Sequence, residues 1–214
     1  MTMKIDLDAV EETAKLLYIR ALKVLPDDIK EGFQRLDATE SDATGKSILA
    51  TMIHNIDIAE DTDNLLCQDT GIPIYNVTIG RGVQLDGVDL KAAIRQGCAR
   101  ATTEYPLRSS VVHPVTRVNE HTSSGRRVPV INVDFSEHPD ELVIEMIPKG
   151  SGSENGSFLK MCIPAEGVAG IKTFVIDRVL EAGGKVCPPT IVGVGVGGTA
   201  DLCTKMAKIA ATRS

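Results

Sequence analysis

Apolar side chains recur at Val10, Ala14, Leu17, Ala21 and Val24, a helical interval that predicts a first helix over residues 6–25. Asp8 with Glu11 reads as a capping box at its start, and Pro26 breaks it. A second helix begins with DDIKEGFQRL, and a third spans about 43–60. Past residue 62 the pattern changes. β-Branched runs at 72–79 (IPIYNVTI), 128–135 (VPVINVDF) and 141–147 (ELVIEMI) predict strands. The last two read as antiparallel neighbours joined by the polar turn SEHPD, and a helix at 89–104 separates the first from the second. After the glycine–serine loop KGSGSENGS comes a helix at about 165–182, with Val168, Ile171, Val175 and Val179 on one side. A buried strand in TIVGVGV and a helix in TADLCTKMAKIAATR complete the pattern. No repeat, low-complexity tract or linker interrupts it. The expectation is one mixed α/β domain over 1–214, in which a helical N-terminal segment (1–62) caps a mixed sheet packed with helices (63–214).

Composition narrows the function. A chain of 214 residues, 43% hydrophobic and 24% charged, can bury a sizeable core and reads as a soluble globular protein. A net charge of −6 argues against a phosphate-backbone binder, so no nucleic-acid partner is expected. No apolar run reaches the length that spans a bilayer, so no membrane partner is expected either. The start MTMKIDLDAV carries acids early and lacks a signal-peptide core, which points to the cytoplasm. Five cysteines without a disulfide-framework spacing read, in a reducing compartment, as buried thiols or ligands.

Two motifs imitate nucleotide sites. ATGKS at 43–47 is the tail of a phosphate-binding loop, but Glu40 stands where its first glycine belongs and no strand precedes it. GVGGTA at 195–200 matches a dinucleotide fingerprint literally, yet the chain leaves no room for the next strand and its acidic residue. A solvated lysine and a tight turn before a helix account for them.

Cys98 and Cys203 lie within amphipathic helices and read as small buried hydrophobes, as does Cys162 at the start of a turn. Cys67 and Cys187 differ, because each occupies a turn between elements. VCPP at 186–189 follows its thiol with two prolines, which remove two backbone donors and stiffen the chain. A Cys-Pro pair also closes one ferredoxin pattern for an iron–sulfur cluster. Without a CxxC, neither a zinc ribbon nor a dithiol redox pair is supported. CQDTG at 67–71 sets a thiol, a carboxamide and a carboxylate side by side.

CQDTG, PLRSSVVHP, KGSGSENGSFLKM and KVCPPTIVGVGVGGTAD together resemble the α-type catalytic region of iron–sulfur hydro-lyases, the family of class I fumarate hydratases and L(+)-tartrate dehydratases. The resemblance runs from near the N-terminus to about residue 212. It implies a 4Fe-4S cluster held by cysteines with one iron left open to substrate, with Cys67 and Cys187 as two of the ligands. An open iron is a Lewis acid for a substrate hydroxyl, and elimination also needs a base for the proton on the next carbon. By the same resemblance Gln68 contacts substrate and Asp69 is the acid/base candidate, although an Asp before Thr70 and Gly71 also suits a side-chain-capped turn. Arg108 matches the arginine that grips a substrate carboxylate, for which a planar fork is suited. The loop at 149–155 matches a substrate-contact loop, with Gly150 and Gly152 as candidates and Ser153 and Asn155 behind them.

Two departures shape the expectation. Family α chains continue past a segment like KMAKIAATRS and carry a third cluster cysteine there, and a separate β region supplies further groups. Half an active site is therefore expected here, completed by a β subunit in a hetero-oligomer. The stretch VNEHTSSGRRVP replaces a pattern rich in Asn, Thr and Gly, while GSENGSFLKM leans towards the fumarate group. The reading is thus the α component of a hydro-lyase acting reversibly on a C4 dicarboxylate, fumarate and malate ahead of tartrate. Its rival is a non-catalytic α/β binding or assembly module that kept the fold without the cluster.

Overall fold

A computed structural model describes residues 3–138 and 140–213. Pro139, inside the expected SEHPD turn, lies outside the described residues, as do Met1, Thr2 and Ser214. Among the described residues the order is β1 (Met3–Lys4), α1 (Leu7–Ala21), α2 (Asp27–Thr39), α3 (Ala43–Asp61), β2 (Ile72–Gly80), β3 (Val83–Gln84), α4 (Gly87–Glu104), β4 (Val130–Ser136) and β5 (Leu142–Lys149). The one-turn α5 (Ser151–Glu154), α6 (Gly167–Ala182) and α7 (Ala200–Thr212) follow. The fold is mixed α/β. Its backbone divides into two compact units, Met1–Leu25 with Thr51–Gly150 and Pro26–Ala50 with Ser151–Ser214.

Among the described residues the first unit holds every strand. Its main sheet has the order β4-β2-β5, with β4 parallel and β5 antiparallel to β2. β4 and β5 are therefore not neighbours, contrary to the sequence expectation, because β2 lies between them. A parallel β2–β4 pair needs a crossover, and α4 lies on the connection that supplies it. β2 is the most buried strand, with Ile74, Tyr75, Val77 and Ile79 all in the core. This strand is paired on both edges, and its apolar run at 72–79 is interrupted only by the half-buried Asn76 and Thr78.

Helices α1 and α4 complete this core. Leu90, Ile94, Cys98 and Ala101 recur every three to four residues along α4 and are buried with Val10, Ala14 and Tyr18 of α1. The inward row of α1 thus runs through Tyr18, whereas Leu17 and Ala21 are half-buried and Val24 is exposed. Asp6, not Asp8, caps α1: its carboxylate accepts from the Asp8 N–H at 3.0 Å. Asp86 caps α4 in the same way, accepting from the Val88 N–H at 2.7 Å.

The second unit is helical. Residues 190–196, expected as a buried strand, join no ladder, and among the described residues no strand of this unit offers one. Gly193 and Gly195 instead lie directly on α7, against the Ala207 and Cys203 carbonyls, where any side chain would collide. Val192, Val194 and Val196 are exposed, and so are Val168 and Val179 of α6. Lys46 of ATGKS sits in the first turns of α3, whose start is capped by Asp42, with α2 before it. Helix-to-helix context excludes a phosphate-binding loop there.

Candidate active site

The CQDTG turn leads directly into β2, and three sets of bonds anchor it in the first unit. The Asn55 carboxamide donates to the Leu66 carbonyl at 3.0 Å, and the Leu66 N–H donates to the Leu22 carbonyl at 3.0 Å. The Tyr105 hydroxyl donates to the Asp63 carbonyl at 3.0 Å, and Lys23 pairs with the Asp63 carboxylate while lying 4.6 Å from the Tyr105 ring centre. The Tyr18 hydroxyl donates to the Thr70 carbonyl at 3.0 Å in full burial. Burial also pushes the Tyr18 phenol up to about 12, so it stays a neutral donor at any physiological pH.

Within the turn, Cys67 and Gln68 are exposed and Asp69 is half-buried. The Asp69 N–H donates to Cys67 Sγ at 3.4 Å, and the thiol lies 3.5 Å from Gln68 Oε1. Asp69 Oδ1 accepts from the Gly71 N–H at 3.1 Å, which is the side-chain-capped turn anticipated for this residue. Gly71 has φ +68°, and a Cβ there would lie 2.7 Å from the Pro148 carbonyl carbon. Only glycine combines that backbone with so close an approach to the end of β5.

Two other predicted segments meet the same point. Thr70 is fully buried, and its hydroxyl donates to the Arg108 carbonyl and lies 3.4 Å from Ser110 Oγ. Leu107 and Ser109 are buried while Arg108 between them is exposed, so the guanidinium points outward. Ser109 is held in turn by the Asn119 carboxamide at 2.9 Å and the Ser123 N–H at 3.1 Å. Ile72, the first residue of β2, pairs with Lys149, the last of β5, which places half-buried Gly150 beside the turn. Cys67, Gln68, Asp69, Arg108 and Gly150 are thereby gathered by a single unit.

Gly152 and Cys187 belong to the second unit. There the loop of Gly152 lies against the approach to the CPP turn: a Cβ on Gly152 would stand 3.7 Å from the Lys185 carbonyl, and one on Gly156 3.1 Å from Val186. Cys187 is exposed, as is Cys162. Cys98 is buried, and that burial pushes its thiol up to about 12, so it is a core residue. Cys203 is half-buried and donates to the Gly195 carbonyl at 3.1 Å.

The fumarate hydratase (Fumerase) family model matches residues 11–214. The chain belongs to the fumarate hydratase family. It is 45% identical over 199 residues to the "Putative L(+)-tartrate dehydratase subunit alpha" of Methanocaldococcus jannaschii, an alignment covering 92% of this chain and 70% of that one. It is 30% identical over 189 residues to the L(+)-tartrate dehydratase subunit alpha of Escherichia coli (strain K12), covering 88% of this chain and 62% of that one. The Shigella sonnei subunit alpha matches with the same figures.

Family membership implies an iron–sulfur cofactor, and the donors present fit one in kind. Cys67 is an exposed thiol with the Asp69 backbone N–H directed at its sulfur. Cys187 is an exposed thiol on a proline-stiffened turn. Among the described residues no three His, Cys, Asp or Glu side chains group to hold a metal ion, so neither unit alone displays a full ligand set. Among the described residues no helix is long and apolar enough to cross a membrane.

Sequence reasoning missed Tyr18, Thr70 and Ser109, whose bonds hold the segments that carry Asp69 and Arg108. Tyr18 carried a signal: a tyrosine on the apolar row of a helix needs a buried partner for its hydroxyl. Thr70 carried none beyond its place in CQDTG.

Proposed function

We propose that this chain is the α component of an iron–sulfur hydro-lyase that reversibly adds or removes water at a C4 dicarboxylate. The observation that carries this reading is the hub at Thr70 and Gly71, which joins the Gln68 and Asp69 turn to Arg108 and to the β5 end before Gly150. Membership of the family supplies the reaction class.

In this reading Arg108 takes one substrate carboxylate with its planar fork, and the exposed Gln68 carboxamide orients the diacid by donating to an oxygen. Asp69 accepts or returns the proton on the carbon next to the hydroxyl-bearing one, and its carboxylate is oriented by the bond it accepts from the Gly71 N–H. The Gly150 backbone lines the same place, where the lack of a side chain allows close approach. Cys67 and Cys187 are the proposed ligands of a 4Fe-4S cluster, which when bound supplies the Lewis acidity that makes hydroxide a competent leaving group. The C–H and C–O bonds break, the C=C bond forms, and water leaves. One catalytic domain over 1–214 working in the cytoplasm with a β subunit completes the proposal, since the relatives are named as alpha subunits.

Fumarate and malate are placed first on the strength of GSENGSFLKM. The relatives' names favour tartrate as the second reading. Anaerobic reconstitution with iron and sulfide, with the β subunit present, tests both. A brown, oxygen-sensitive complex that dehydrates malate faster than L(+)-tartrate is expected, and the reverse preference selects the second reading. A colourless complex inactive on either would leave the non-catalytic module.

A further inference from the structure

The Gln68 and Asp69 turn and Arg108 sit on either side of one half-buried hydrogen bond. Thr70 is fully buried, its carbonyl takes the Tyr18 hydroxyl at 3.0 Å, and its own hydroxyl donates to the Arg108 carbonyl. Asp69 precedes Thr70 in the chain, and Arg108 is held between buried Leu107 and Ser109. Neither backbone can move relative to the other without breaking that bond. We propose that Thr70 is a positioning and specificity-determining residue, whose bond to Arg108 fixes the gap between the carboxylate-binding fork and the Gln68 and Asp69 turn and so selects diacids by chain length. This rests on the hydro-lyase reading of the same site.

The physical reason lies in the alternatives. Diacids of adjacent length differ by one methylene, about 1.3 Å of reach, and a misplacement of about 1 Å at a reacting centre can cost on the order of 100-fold in rate. A flexible pair of segments would accept either length, whereas a pair tied by the Thr70 hydroxyl to the Arg108 backbone accepts one. Serine at position 70 keeps the donor. Valine keeps the shape, removes it, and strands the Arg108 carbonyl.

The test uses the assembled, iron-loaded enzyme and two readouts. Binding of succinate against glutarate by calorimetry should show a preference for the C4 diacid in wild type and in Thr70→Ser. In Thr70→Val that preference should fall about tenfold or more, with iron content unchanged, in line with a sub-ångström to ångström shift. Amide exchange should quicken together at 67–71 and 108–111 in Thr70→Val, but not in α1 and α4. Equal loss of affinity for both diacids, or exchange that quickens throughout the unit, would assign Thr70 a purely structural role. Retained C4 preference in Thr70→Val overturns the proposal outright. An enzyme that discriminates diacids in this way yet dehydrates none would sink the hydro-lyase reading alone.

Discussion

The Tyr18 hydroxyl of α1 and the Thr70 carbonyl of the CQDTG turn are joined at 3.0 Å, both inside the core. The bond ties the helix that organises the core to the turn that presents the chemistry. Tyr18→Phe keeps the ring packing and leaves a buried carbonyl without its donor, which costs about 1–3 kcal/mol. The urea midpoint should fall with the slope unchanged, and the KM for a diacid should rise. A variant with the wild-type midpoint would mean that water replaces the phenol.

Acid should loosen the α1–α4 pair in a defined window. Arg100 bonds Glu104 at 2.6 Å and Glu11 at 2.7 Å, and Lys15 also reaches Glu104 at 3.0 Å. Arg100 first, then Lys15, holds the Glu104 carboxyl down at about 2, against an ordinary value of 4.5. A carboxyl depressed in the folded state contributes stability above its unfolded value, and that contribution is lost as pH falls from about 4.5 towards 2. Glu104→Gln should therefore lose stability at neutral pH and show a flatter decline through that window. High salt should shrink the difference, because Glu104 itself is exposed. Parallel acid limbs in urea titrations of wild type and variant would discount Glu104.

Helices with a regular apolar row were legible in the sequence: α4 and the body of α1 fall where periodicity placed them, although α1 ends at Ala21, ahead of Pro26, and its inward row runs through Tyr18. β2 was equally legible, since Ile74, Tyr75, Val77 and Ile79 give it a β-branched and aromatic run that is buried in the core. Pairing was not. Whether β4 meets β5 or β2 depends on which strand occupies the centre, and local pattern does not encode that. TIVGVGV has a strand's composition, but a ladder needs a neighbour and its glycines serve helix contact instead. At the candidate site, the motifs marked side chains that the structure leaves exposed, Cys67, Gln68 and Arg108 among them. What holds their segments (the hydroxyls of Tyr18 and Thr70) emerges only when stretches about 40 to 50 residues apart are brought together.

The cysteines should separate into two classes by iron content alone. Cys67 and Cys187 are exposed, and Asp69 N–H points at the Cys67 sulfur. Serine at either position should reduce bound iron and sulfide several-fold in the reconstituted complex, because a hydroxyl is a poor ligand where a soft thiolate is needed. Cys98 is buried and held neutral by that burial. Cys98→Ser should leave iron content alone and cost only about 1–3 kcal/mol, for a hydroxyl placed among apolar groups. Iron loss on Cys98→Ser with retained stability would contradict this division, as would full iron in Cys67→Ser.

Arg108 offers the sharpest test of how substrate charge is met. It is exposed while its neighbours Leu107 and Ser109 are buried, so a substitution there alters the outward group without disturbing the core. Lysine keeps the positive charge but offers a point donor in place of a planar fork, and so cannot make two parallel bonds to one carboxylate. Arg108→Lys should raise the KM for the diacid by about tenfold or more, with a smaller change in kcat, since the lost grip acts on bound substrate and transition state alike. Iron content should not move, which separates this effect from loss of a cysteine. Neither should the exchange of the 67–71 and 108–111 amides, because Thr70 bonds the Arg108 backbone and not its side chain. A KM equal to wild type in the assembled enzyme would place Arg108 outside the site and return the carboxylate-binding role to another cation.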